Sequence, residues 1–378
     1  MSNRLRVAII TLVAVAVLAA CDPPGFGGPQ DLAPAFPVFR VDLFEQNIID
    51  TFEPQSVGFT YAIAVGGNLQ RSGARGNATL TPDASRTMSV ADRMHIASIS
   101  KTITTIAALR ALQDTPGVGP NSSFVSYLPP GWSPGPGMNG LTFTNLLRHE
   151  SGFDFPAGQS RFYHADLRSL ITAGVVGDSS NAVYNNSHHS MFRLIIPNLV
   201  GASPVSGESE EEFYARAFSD YVDSVVFDPL QINASHVPPP TPALYYAFPH
   251  NNAAGLGTGA NWTYTADPGG YGWYLSAVDL VKILVYLHET EELISEAMRE
   301  IMNQDEMGYW NSRTGEHGRY LMKGGSWGYT VDSVLQGTQS IAGRFPFGVT
   351  VAVIANSRPV TSLNMSNLLR DAYDAAFD

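Results

Sequence analysis

The chain has 378 residues, 44% hydrophobic and 15% charged, which describes a globular protein with room for one large domain or two coupled ones. Its formal net charge is −12, from 22 basic and 34 acidic residues. There is no basic stripe to neutralise phosphates, so nucleic acid is excluded as a partner, while a small anionic substrate stays open given a locally placed cation.

Residues 1–20 read as an export signal. Arg4 and Arg6 precede an apolar run over residues 7–18, and Ala19 and Ala20 stand before Cys21. The run is too short for a comfortable membrane span. Cys21 is the only cysteine, so no intramolecular disulfide can form. Leu18-Ala19-Ala20-Cys21 resembles a bacterial lipoprotein processing box. That resemblance implies cleavage before Cys21, acylation of its thiol, and a membrane-anchored protein of the cell envelope facing outside the cytoplasm. Residues 21–40 are rich in Pro and Gly and suit a semi-rigid tether.

Residues 57–65 read as a strand, Gly66-Gly67 as a turn, and residues 68–73 as the returning strand. Residues 102–112 form a helix that is apolar nearly all round, which places it inside a domain. Residues 117–270 are loop-rich with scattered helical stretches. Ser276 caps a helix running to about residue 287, with Asp279 three positions on. Strand-like runs follow at 308–310, 319–323, 329–335 and 347–355, and residues 362–377 close the chain as an amphipathic helix. Strands at both ends around a loop-rich middle predict an α/β fold of the α+β type. The sheet domain takes residues 41–115 and 288–378, and 116–287 form a mainly helical insertion.

Lysine is scarce: three of the 22 basic residues are Lys101, Lys282 and Lys323. A buried lysine amine can lose its proton, which a guanidinium cannot do. Lys101 closes Ser98-Ile99-Ser100-Lys101 ahead of the apolar helix, and position i+3 is a same-face neighbour. Burial and the helix N-terminus both push such an amine toward a neutral base able to take the Ser98 proton. Lys323 opens Lys323-Gly324-Gly325, where a strand with glycines lets a substrate backbone approach. The Ser326 N–H follows and would join the Ser98 N–H as an oxyanion hole. Lys323 would neutralise a carboxylate or support proton transfer. In Tyr184-Asn185-Asn186, a tyrosine near two ammonium groups would have a lowered pKa and serve as base or acid, and Asn186 would hydrogen-bond a substrate amide. Tyr309-Trp310-Asn311 has the same pattern and reads as part of a strand just before Lys323.

Ser-x-x-Lys, Tyr-x-Asn and Lys-x-Gly, in this order and at these spacings, resemble the penicillin-recognising serine hydrolases, in the branch of class C β-lactamases and D-alanyl-D-alanine carboxypeptidases. Leu146-Leu147-Arg148-His149-Glu150-Ser151-Gly152, Gly269-Gly270-Tyr271-Gly272 and the run ending at Asn356 resemble further segments of that family. The resemblance implies an antiparallel sheet flanked by helices and an acyl-enzyme on Ser98, with Lys101 and Tyr184 handling the proton. It implies a small-molecule or peptide substrate with an amide, β-lactam or ester carbonyl, bound with help from Asn186, Lys323 and Gly325. Which of Lys101 and Tyr184 is the base stays open. Gly324 departs from the threonine frequent in the family, so a hydroxyl that helps bind a substrate carboxylate is missing. The alternative is a catalytically inactive lipoprotein of the same fold that binds peptidoglycan or a protein partner.

No metal or cofactor is expected. His149-Glu150 begins His-Glu-x-x-His, but Phe153 stands at the fifth position. His188 and His189 are adjacent and would not both face one site on a helix, and His149 reads as a structural hydrogen-bonder near a helix end. Gly255-Leu256-Gly257 with Ala260 lacks the preceding strand of a dinucleotide site and reads as loop. Gly324-Gly325-Ser326-Trp327-Gly328 fits Gly-x-Ser-x-Gly, but that arrangement needs a later histidine and the last is His317.

Overall fold

Residues 58–65 are buried along nearly their whole length in the computed structural model, which describes residues 37–155, 163–250, 257, 269–331, 333–359 and 364–378. Period-two alternation explains that burial. Phe59, Tyr61 and Ile63 enter one apolar layer, and Ala62 and Ala64 enter the other. Helix α1 (Val41–Phe52) precedes this strand, β1 (Gly58–Val65), and its hairpin partner β2 (Asn68–Thr79). Short strands β3 (Arg86–Thr87) and β4 (Met94–His95) lead to α2 (Ser100–Asp114). A helical region follows: α3 (Phe143–Leu147), α4 (His164–Ala173), α5 (Asn186–Ser190), α6 (Phe192–Leu199) and α7 (Glu210–Val222). After β5 (Tyr246–Phe248) and β6 (Tyr274–Leu275) come α8 (Ala277–Glu289) and α9 (Glu296–Gln304). The chain finishes with β7 (Arg313–Gly315), β8 (Gly318–Val331), β9 (Val334–Phe345), β10 (Val349–Ala355), β11 (Ser357–Pro359) and α10 (Met365–Asp374).

The main sheet runs β7-β8-β9-β10-β1-β2-β3 with antiparallel neighbours. β5 joins β9 at Gly337 and pairs in parallel with β11, while β4 and β6 form a separate pair. The two ends of the chain therefore meet at the centre of the sheet, where Val65 lies opposite Val349 and Phe59 opposite Ala355. α1 and α10 cover one face, with Phe44, Ile48, Phe52, Leu369 and Tyr373 against the sheet side chains. α8 lies on the other, where Ala62, Ala64 and Ala352 present a low surface, and α2 and the helical region continue the same apolar layer. This is the mixed α/β architecture expected from the sequence, an antiparallel sheet flanked by helices.

The helix predicted at 102–112 extends over residues 100–114, and only Arg110, Gln113 and Asp114 escape burial. The cap predicted at Ser276 is present: its hydroxyl accepts the Asp279 N–H, and the Asp279 carboxylate accepts the Ser276 N–H at 2.9 Å. Helix α8, expected inside the 116–287 insertion, lies on the sheet against β1 and β10. Two predicted strands differ from the structure: one is absent, and one is split between the end of β8 and the start of β9. Residues 308–310 form a turn after α9, with Gly308 at φ 73° against Thr105. The run at 329–335 is a hairpin tip, because Ser333 at φ 68° turns β8 into β9. Its apolar residues Tyr329 and Leu335 are exposed, so their alternation marks no buried face. Phe39–Asp378 is one compact unit. The expected signal at 1–20, Cys21, most of the tether, and Gly255, Leu256 and Ala260 lie outside the described residues.

Candidate active site

A single 3₁₀ turn, Ala97–Ile99, feeds Ser98 into the buried helix α2. Ala97 has φ 50°, a left-handed conformation that costs an L-residue on the order of 1 kcal/mol, so the turn is held by its surroundings. The Ile96 carbonyl accepts the Ser340 hydroxyl of β9 at 2.8 Å, and the Ile96 N–H donates to the Trp273 carbonyl at 3.0 Å. Ser98 itself stays partly open.

One helical turn on, Lys101 is fully buried. Its Nζ lies 2.6 Å from Asn186 Oδ1, 2.6 Å from the Gly270 carbonyl and 3.3 Å from Ser98 Oγ. Asn186 opens α5 and Gly270 precedes β6, so this amine ties three distant segments to the serine.

Tyr184 arrives from the loop before α5. Its hydroxyl accepts from Lys323 Nζ at 3.1 Å, and its side chain lines the cleft beside Ser98. Lys323 Nζ is 4.4 Å and Lys101 Nζ 5.2 Å from the ring centroid. Burial alone would raise the phenol, but the Lys101 and Lys323 charges and the hydrogen bonds to Ser98 and Lys323 outweigh it, bringing Tyr184 down to about 7. Burial likewise lowers Lys323 to about 8, against the opposing pull of Tyr184.

The tyrosine is set in place by His149. The His149 carbonyl accepts the Val183 N–H at 2.9 Å, its Nδ1 accepts the Asn185 N–H at 3.4 Å, and its ring centroid lies 4.6 Å from that of Tyr184. The structural role expected for His149 is thus visible. His188 and His189 do not diverge as their adjacency predicts, since both rings lie 4.9 Å from His149. His188 contacts Ser151 at 2.7 Å and His189 contacts Thr105 at 3.3 Å. Burial holds all three imidazoles well below their usual range, so the cluster is a neutral packing behind the tyrosine.

Strand β8 closes the site. A Cβ on Gly325 would stand 2.4 Å from both the Ile96 carbonyl and Ser340 Oγ, so only glycine lets the strand pass so close to the Ser98 turn. The Gly324 N–H donates to Asn311 Oδ1 at 2.8 Å, on the edge away from β9. By strand alternation the Ser326 N–H leaves the same edge, facing the cleft. The structure thus gathers Ser98, Lys101, Tyr184, Asn186, Lys323, Gly325 and Ser326 in one place. Asn186 faces Lys101 as well as the cleft, and Lys323 faces Tyr184.

The cleft holds about 570 Å³ and is lined by Ser98, Tyr184, Lys323 and Ser326, and also by Trp310, Asn311 and Arg313. Sequence reading assigned Trp310 and Asn311 to a strand and gave Arg313 no role. The repeated Tyr-x-Asn pattern at Tyr309 was the available signal. No carboxylate lines this cleft, and Arg313 has no acidic partner among the described residues. In a chain of net charge −12 the site is therefore locally cationic.

No curated protein matches the sequence. Among solved structures, the chain is similar to a beta-lactamase/D-alanine carboxypeptidase from Pseudomonas syringae, with 14% identity, TM-score 0.64, and coverage of 88% of this chain and 97% of that one. It is similar to the D-amino acid amidase of Ochrobactrum anthropi SV3, with 18% identity, TM-score 0.59, and coverage of 89% and 97%. An octameric penicillin-binding protein homologue from Pyrococcus abyssi has 18% identity, TM-score 0.60, and coverage of 84% and 73%. At these identities the likeness shows the fold. The sequence profile of the Beta-lactamase family, however, matches residues 45–378 continuously, from α1 to the last residue, and by that match the chain belongs to the Beta-lactamase family of serine hydrolases.

Proposed function

We propose that the protein hydrolyses an amide, β-lactam or ester through an acyl-enzyme on Ser98. The observation that carries this is the position of Tyr184, beside Ser98 in the cleft, hydrogen-bonded to Lys323 and brought down to about 7. As phenolate it takes the Ser98 proton while Oγ bonds to the substrate carbonyl carbon. The carbonyl electrons move to oxygen, between the N–H groups of Ser98 and Ser326. As the oxygen re-forms its double bond, the C–N or C–O bond breaks and Tyr184 returns the proton to the leaving group. Water then repeats the sequence: Tyr184 removes its proton, the C–Oγ bond breaks, and Ser98 recovers its hydrogen. Lys101 holds Ser98, Asn186 and Gly270 in register, and Lys323 holds the phenolate.

Lys323 and Arg313, with no carboxylate beside them in the cleft, favour a leaving group that carries an anion. This takes over the task of the hydroxyl that Gly324 lacks. The β-lactamase/D-alanine carboxypeptidase neighbour supports an amide of that kind, and the D-amino acid amidase neighbour supports amide cleavage without an anionic leaving group. Export and lipid attachment at Cys21 belong to the same proposal, on the pattern of residues 1–21.

A panel of β-lactams, D-alanyl-D-alanine peptides, D-amino acid amides and short-chain esters tests it. Ser98→Ala is expected to lower kcat by about 10³-fold or more on whichever substrate is turned over. Equal rates for wild type and Ser98→Ala across the panel would sink the proposal and favour a non-catalytic binding protein.

A further inference from the structure

We propose that a second lobe of the cleft is the acyl-side subsite and selects an aromatic acyl group; this rests on Ser98 being the nucleophile. The lobe holds about 320 Å³ and shares Ser98 and Ser326 with the larger cleft. Its other walls are Ala97, Asn186, Tyr271, Trp327 and Gly328, with no charged side chain. A substrate whose carbonyl sits on Ser98 therefore has two directions to extend, one cationic and one aromatic.

Proton delivery decides which half goes where. A leaving amine or alkoxide must receive a proton as its bond to the carbonyl carbon breaks. Tyr184 lines the larger lobe and not the smaller one. The leaving group thus lies beside Arg313 and Lys323, and the acyl group extends past Asn186 into the smaller lobe.

The chemistry of that lobe follows from β8. Lys323, Gly325 and Trp327 alternate with Gly324 and Ser326, so they share the strand face that looks at the Ser98 turn. Gly325 packs on Ile96 and Ala97 at the centre, with Lys323 on one side and Trp327 on the other. Trp327 is half-buried and anchored, with ring centroids 5.4 Å from Tyr245 and 5.6 Å from His95. Tyr271 also lines the lobe, its ring centroid 6.2 Å from that of His95, and it is buried next to Gly270, whose carbonyl takes the Lys101 amine. Two packed rings lining uncharged space favour a third ring in edge or offset contact. The volume suffices, since a cavity of about 150 Å³ already accepts benzene.

The test uses the purified full chain and 4-nitrophenyl esters, which keep the leaving group constant: hexanoate and 3-phenylpropanoate. The 3-phenylpropanoate is expected to exceed the hexanoate in kcat/KM by about tenfold or more. Trp327→Ala should bring that ratio close to unity, and Trp327→Phe should keep most of it. Equal kcat/KM for the two esters in wild-type protein, with both activities abolished by Ser98→Ala, overturns the subsite and leaves the hydrolase reading standing. Should Trp327→Ala fail to fold, the wild-type ratio alone decides. Ester hydrolysis untouched by Ser98→Ala would overturn the reading underneath.

Discussion

At the scale of single side chains, Tyr184 and Lys323 set opposite pH limits. The phenolate forms as pH rises through about 7, so base catalysis grows across that range. The Lys323 charge that supports it disappears as pH rises through about 8. We predict a kcat/KM profile that peaks between these values and falls on both sides. Tyr184→Phe should lower kcat/KM by about 10² to 10⁴-fold and abolish the acid limb. An acid limb of the same midpoint in Tyr184→Phe would assign it to another group. Ser98 and Lys101 were legible in the sequence because one helical turn joins them, and a local spacing survives folding intact. Tyr184 and Lys323 needed motif order as well. Arg313, Tyr271 and Trp327 gave no such signal, because their place at the cleft comes from strand pairing and from loops that no local period encodes.

β8 is the element in which spacing and chemistry coincide. Its alternation sets an ammonium, a bare backbone and an indole along one face, and the bare position is the closest contact with the Ser98 turn. Gly325→Ala should destabilise the fold by about 1–3 kcal/mol, as overpacking does, and lower kcat by about tenfold or more because the strand must retreat from Ser98. A thermal midpoint and kcat both equal to wild type would show that the strand accommodates the methyl group. The sequence pattern located the centre of this strand and misjudged its end. Tyr329 to Leu335 alternates like a buried strand, yet a polar turn at Ser333 folds it into an exposed tip. The fully apolar helix α2 and the Ser276 cap carried stronger information, because a helix without a polar face has no stable position except the interior.

For the whole molecule, the α+β class was legible from strands at both ends of the chain. The location of α8 was not, because an apolar helix fits either a helical layer or a sheet face. Here the alanines of β1 and β10 provide its seat. The expectation with the widest reach concerns Cys21. Intact mass of membrane-extracted protein should show a chain beginning at Cys21 and carrying acyl groups. A soluble chain with a free Cys21 thiol would remove the anchor from the proposal.

The meeting of both chain ends at the sheet centre has its own consequence in time. Synthesis runs from the N- to the C-terminal side, so β1 emerges long before β10, which pairs with it from Phe59 to Val65. Until then β1 has only β2 beside it, and its other edge offers unpaired N–H and C=O groups. Closing so long a loop precedes the contacts that reward it, which slows folding. The sheet cannot complete its centre until β10 has been made, and until then the open edge of β1 is a place where a foreign strand can add.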